Sequence, residues 1–209
     1  MTAAMRAAPL AAARPRRVPG VAYALYSLAL ALILGLGTVY ATVRGSYPLG
    51  RMQAQGWVAY PNLGSRLVDP YARAIMARTG DIPLGLGEGI ALVAETDSEG
   101  RALDSGCRYV VEGLTPAARH WTLTLYDDEG RPVRTPLERS GFTSSEVMRA
   151  DDGRFQIALA RAPQPGNWLQ TPQGGRIRAI LRLYDTPVAG SLSWLDPGSL
   201  PIVRREGCP

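Results

Sequence analysis

Seven polar and aromatic residues in the C-terminal two-thirds of the chain have the chemistry of a ligand site: Arg119, Trp121, Tyr126, Asn167, Trp168, Arg182 and Tyr184. Aromatic faces stack on the apolar faces of sugars, and Arg forms forked, charge-assisted hydrogen bonds to carboxylate or phosphate. The set would suit a sugar or an anionic small molecule. The alternative is packing: strand aromatics mostly fill cores, leaving Arg119 and Arg182 as an exposed or ion-paired face.

Three acids merit inspection for acid/base work: Glu88, Asp97 and Asp127. Paired carboxylates cleave glycosides when held roughly 5–10 Å apart. Asp97 and Asp127 both stand where turns favour Asp, and Glu88 is the one a turn explains least. His120 is the only histidine, so any Ser-His-Asp triad would have to use it. No Gly-x-Ser-x-Gly elbow accompanies it, and on an alternating strand it points away from Trp121. The glycine-rich run Gly85–Gly89 lacks the Lys-Ser/Thr of a phosphate loop. No Cys/His ligand spacing points to zinc, and nothing calls for a cofactor.

The elements that would carry these residues change character along the chain. Asp69-Pro70 opens a short helix, with Asp as cap and Pro in the first turn. Tyr71, Ala74, Ile75 and Arg78 would share one face, and Gly80 ends it. After Gly80 the period becomes two. Strands are expected at Ile90–Glu95, Cys107–Glu112, Arg119–Tyr126, Arg154–Ala160 and Arg176–Tyr184. In the last of these, Ile177, Ala179, Leu181 and Leu183 face inward, with Arg176, Arg178 and Arg182 on the other side. Asp/Gly turns separate the strands, and the crossover helices of a parallel sheet are missing. The fold class is mainly β: an antiparallel β-sandwich or jelly-roll-like domain with one short helix.

Upstream lies the uncharged run Val18–Val43, which as a helix would reach about 39 Å at roughly 1.5 Å per residue. A bilayer core is about 30 Å thick, so the run can cross it. The tail 1–17 carries Arg6, Arg14, Arg16 and Arg17 and no acid, the pattern kept on the cytoplasmic side. A signal peptide cleaved near Ala41 is the rival reading, although its apolar region would be unusually long. The expected organisation is a cytoplasmic tail at 1–17, a transmembrane helix at 18–43 and an exported domain at 44–209. That places a single-pass protein in the bacterial inner membrane with its C-terminal domain in the periplasm.

All 23 basic residues are Arg, and four lie in that tail. The other 19 Arg are offset by all 18 acids, so residues 44–209 carry a net charge of only +1. A nucleic-acid partner is disfavoured, because the excess charge is absent from the folded domain. Cys107 and Cys208, the only cysteines, would both sit in an oxidising compartment, where a disulfide is expected. Two free thiols, or pairing to another chain, remain the alternatives.

An ordered series of residues resembles the bacterial domain-of-unknown-function family 1214. It includes Trp57, Asp69–Ala74, Arg78, Leu84-Gly85 with Glu88, Asp97 with Gly100, and Leu103 with Cys107. It continues through Pro116-Ala117, the Arg119–Asp127 strand, Asn167-Trp168-Leu169 read as a turn, and Leu181–Tyr184. The resemblance spans most of 56–209. It implies a jelly-roll-like fold, a single membrane segment in short members, and no established reaction. Gln170, where the family more often has Pro, and the short Asp185-Thr186-Pro187 continuation depart from the pattern.

The function expected on these grounds is a membrane-anchored envelope protein that binds a ligand or partner and is not an enzyme. Its partners would be the membrane, together with another envelope protein, a glycan or an anionic small molecule. The alternative is a hydrolase acting on an envelope glycan or lipid headgroup. A purely structural subunit is a third possibility.

Overall fold

The computed structural model describes residues 19–44, 51–80, 82–189 and 196–208. The basic tail 1–17 lies outside the described residues. The chain forms two separate units, an N-terminal one holding a long helix and a second holding all of the β structure.

Helix α1 runs Gly20–Arg44 and buries no residue within the protein. By length and composition it can cross a membrane, with a mean hydropathy of 1.9. Its Ser and Thr hydroxyls are satisfied internally: Ser27 donates to Tyr23 O (2.9 Å), Thr38 to Leu34 O (2.8 Å) and Thr42 to Thr38 O (2.8 Å). In a medium without water, a helix must meet its own polar needs in this way. At its C-terminal end the Arg44 guanidinium lies 4.6 Å from the Tyr40 ring centre.

The second unit is a two-sheet sandwich with a peripheral helix. Its strands are β1 (Met52–Ala54), β2 (Trp57–Ala59), β3 (Gly89–Ala94), β4 (Arg108–Gly113) and β5 (His120–Asp127). They continue as β6 (Gly141–Thr143), β7 (Phe155–Ala160), β8 (Asn167–Gln170), β9 (Ile177–Tyr184) and β10 (Ile202–Gly207). One sheet has the order β1-β2-β3-β9-β5-β6, the other β10-β4-β7-β8. Alternation decides the inner faces: Trp121, Leu123 and Leu125 of β5 and Ala179, Leu181 and Leu183 of β9 are buried. They meet Tyr109, Val111, Ile157 and Leu159 from the smaller sheet in one core. Trp121 packs on Phe155 with ring centres 5.0 Å apart.

Two features differ from an all-antiparallel sandwich of long strands. Asn167-Trp168-Leu169, read as a turn, is strand β8, and it pairs parallel to β7. The Asn167 carboxamide accepts from Met148 N and donates to Met148 O and Gln156 O, all within 2.9 Å, so this polar residue is buried and satisfied. Helix α2 (Pro70–Thr79) begins as expected, with the Asp69 side chain accepting from Tyr71 N, and ends on Gly80 at φ 74°. Its inward face, however, is Ala72, Ile75 and Met76, while Tyr71, Ala74 and Arg78 are exposed.

Two hairpin turns share one construction, Asp-x-Glu-Gly-Arg at 97–101 and 127–131. In each, Asp Oδ1 accepts the Arg amide and Oδ2 takes the Arg Nε at 3.0 Å. The Arg then reaches the intervening Glu, and the Gly adopts a left-handed φ of 81° or 78°. The strand β10 is fastened from several sides. Cys208 forms a disulfide with Cys107, Arg205 Nε lies 2.9 Å from Asp97, and Trp57 Nε1 donates to Pro201 O.

Candidate functional site

The outer face of the six-stranded sheet is not uniformly wet. In register across it, Val58 of β2 pairs with Val93 of β3, and Val93 with Ile180 of β9. The adjacent row aligns Ala91 of β3, Arg182 of β9 and Thr122 of β5. Tyr126 and Arg178 form a further facing pair. Above this floor, Tyr60, Leu63 and Gly64 on one side and Pro83 and Leu84 on the other make a wall, with Arg78 of α2 at the rim. Together they enclose a groove of about 510 Å³. That size falls within the usual range for small-molecule sites.

The wall is a single unit. At Gly64 the chain passes so close to the Leu84 carbonyl that an added Cβ would overlap it. Glu88 holds the other loop, its Oε2 accepting the Gly85 amide at 2.9 Å. Burial raises the Tyr60 phenol above its ordinary pKa; Arg51 opposes this and Glu95 reinforces it. The phenol therefore stays a neutral donor at physiological pH.

The charges of the groove differ in how they are used. Arg178 is occupied: Nε and Nη2 reach the carbonyls of Asp127 and Asp128, and Nη1 lies 3.8 Å from Glu95. Glu129 is turned to Arg131 at 2.9 Å. The Arg182 guanidinium lies 5.4 Å from the Tyr126 ring centre. Among the described residues, neither Arg182 nor Arg78 has an ion-pair or hydrogen-bond partner.

The seven residues singled out by type do not form one site. Tyr126 and Arg182 meet in the groove. Tyr184 shares their sheet face, opposite His120, with ring centres 6.1 Å apart. His120 lies on the face away from Trp121, its Nδ1 2.8 Å from Ser144 Oγ. Trp121 is core, Arg119 is exposed with Asp185 3.8 Å away, and Asn167 and Trp168 belong to the other sheet. The acids are likewise scattered. Glu88 closes a turn, Asp127 builds the second hairpin turn, and Asp97 is buried between Arg101 and Arg205.

A larger depression, about 640 Å³, lies on the outer face of the smaller sheet and includes Asn167. Four of its charges are spent on one another, Arg108 with Glu206 at 3.2 Å and Arg154 with Asp152 at 3.4 Å, while Arg149 donates to Gly153 O at 2.9 Å and lies over the Trp121 and Phe155 rings. A ligand there would have to displace these partners, whereas the smaller groove offers unpaired cations. Val58, Tyr60, Arg78 and Ile180 are the groove residues that sequence reasoning passed over. One signal was available: Ile180 falls in phase with Arg178 and Arg182, an apolar residue on a face assigned to water.

A search of curated proteins finds no match to the chain. Among solved structures, the VPA0106 protein from Vibrio parahaemolyticus is similar, with a TM-score of 0.58 at 19% identity over 93% of this chain. This chain spans 47% of that protein's length. An uncharacterized protein from Burkholderia cenocepacia aligns over 93% of the chain and 45% of its own, at 13% identity and a TM-score of 0.44. The first likeness establishes the β-sandwich fold. Residues 88–188, from Glu88 through β9 to the turn that follows it, match the family described as protein of unknown function, DUF1214.

Proposed function

We propose that this chain is a membrane-tethered β domain that binds an anionic small molecule in the groove between Arg182 and the Tyr60–Leu84 wall. One observation carries the reading: Arg182 lies within a concave, partly apolar site beside Tyr126 and forms no ion pair with the acids that share the groove, Asp128 and Glu129. A half-buried guanidinium without a partner pays a desolvation cost that a bound anion would recover through forked hydrogen bonds. Arg78 at the rim adds a second positive charge.

The envelope setting rests on three supports. Helix α1 is long and apolar enough to span a bilayer, the tail before it is basic, and the domain contains a disulfide. Together they favour an N-terminus in the cytoplasm and residues 44–209 in the periplasm. The ligand would then be an envelope metabolite or the anionic group of a glycan. Glu88, Asp97 and Asp127 are each committed to turns and pair with no second carboxylate, so the hydrolase alternative has no observation in its favour.

Calorimetric titration of the full chain in zwitterionic nanodiscs with succinate, glucuronate and glycerol phosphate tests the reading. At least one of these should bind, and Arg182→Gln should weaken it about tenfold or more, the range for a lost hydrogen bond between charged groups. Arg119→Gln should leave affinity unchanged. Failure of all three anions to bind, or equal binding by Arg182→Gln, overturns it.

A further inference from the structure

The floor of the groove points to more than an anion. Outer sheet faces normally carry polar residues, yet the row Val58, Val93, Ile180 is apolar across three adjacent strands, roughly 10 Å at the usual strand spacing. Thr124 continues it on β5. Leu63, Pro83 and Leu84 face this row from the wall, and Ile82 at the rim is 95% exposed. The apolar row ends beside Arg182, two positions along β9 from Ile180. Ala91, paired with Arg182, is too small to fill the space next to the guanidinium.

From this juxtaposition we infer that the ligand is a single-chain anionic amphiphile, a long-chain carboxylate whose head meets Arg182 and whose alkyl chain lies along Val58, Val93 and Ile180. The inference rests on the anion reading above and adds the chain. Charge complementarity fixes the polar end, since Arg182 and Arg78 are the unpaired cations of the groove. The β-branched floor and the leucine wall fix the apolar end. A sugar acid would gain nothing from that floor, because its hydroxyls would be buried without partners. An alkyl chain gains roughly three- to fourfold in affinity for each methylene taken from water.

The test uses the full chain in zwitterionic nanodiscs and a dodecanoate analogue bearing a diazirine on its chain, followed by peptide mapping of the photoadduct. Label is expected on the peptides holding Val58, Val93 or Ile180. Dodecanoate should compete with it at least a hundredfold better than butanoate. Arg182→Gln should reduce labelling about tenfold. Ile180→Thr, which keeps a β-branched strand residue, should reduce labelling by the long chain by a larger factor than it reduces binding of the short anions; an unchanged melting temperature verifies its fold. Equal competition by butanoate and dodecanoate overturns the amphiphile and leaves the anion site standing. Label confined to α1, or insensitive to Arg182→Gln, overturns the amphiphile as well. Loss of both labelling and short-anion binding in the wild-type chain overturns both readings.

Discussion

Asp97 and Asp127 show how two copies of one local pattern acquire different importance. Both build the same Asp-x-Glu-Gly-Arg turn, and both carboxyls sit below their ordinary pKa. For Asp97, burial raises the pKa and is outweighed by hydrogen bonds from Arg101 and the Glu99 amide. For Asp127, the Arg131 amide dominates. Only Asp97 is buried, at 1% exposure, and only Asp97 meets a distant cation, Arg205 of β10. Asp97→Asn removes one partner of a buried pair and should cost about 3–5 kcal/mol, seen as a fall in melting temperature on the order of 10 °C. Asp127→Asn should cost clearly less. Because the folded pKa of Asp97 is depressed, its contribution is complete above the ordinary carboxylate range and is lost as pH falls through the folded value. Melts at pH 7 and in acid should therefore show the wild type converging on Asp97→Asn. The turn at Asp97 was legible from Asp and Gly alone. Its partner was not, since Arg205 lies over a hundred residues later and nothing local specifies the pairing.

At the level of elements, legibility followed length. Strands β5 and β9, with eight residues each, display their period without ambiguity. Strands β1, β2 and β6 have three residues each, too few to show a period. β8 was hidden because Asn, a turn former, opens it; the carboxamide is instead consumed by three backbone groups. The helix face was misplaced because Tyr71 and Arg78 mark a plausible stripe, whereas the small Ala72 allows the close approach. The groove was half legible: Tyr126 and Arg182 were selected by type, but the wall loops that make them a site have no periodicity to read. The disulfide is the element-level link with the clearest consequence. It closes a loop spanning 101 positions, worth up to about 4.7 kcal/mol through the unfolded chain. Cys208→Ser, or reduction of the wild type, should lower the melting temperature, while reductant should not shift Cys208→Ser further. Differential scanning with and without dithiothreitol measures both.

For the whole molecule, the decisive question is which side of the lipid the β unit occupies. The four tail arginines and the absence of Lys or acid near α1 favour export of everything after it. Alkaline phosphatase fused after Pro209 should be active in cells, and a green fluorescent protein fused at the same point should be dark. The reverse pattern would remove the compartment in which the ligand reading is framed. N-terminal sequencing of the membrane fraction should return the residues before α1, since an h-region of this length exceeds that of ordinary signal peptides.

The fastening of β10 also sets the order in which this molecule can be finished. Trp57, near the start of the sandwich, waits for the carbonyl of Pro201, buried Asp97 waits for Arg205, and Cys107 waits for Cys208. All three partners arrive within eight residues of one another. A nascent chain stalled before position 201 would hold a buried carboxylate with only one of its two cations, an indole without its acceptor and an unpaired thiol. Such a half-made domain would carry three incomplete pairings at once, and all three would be completed together once β10 docks.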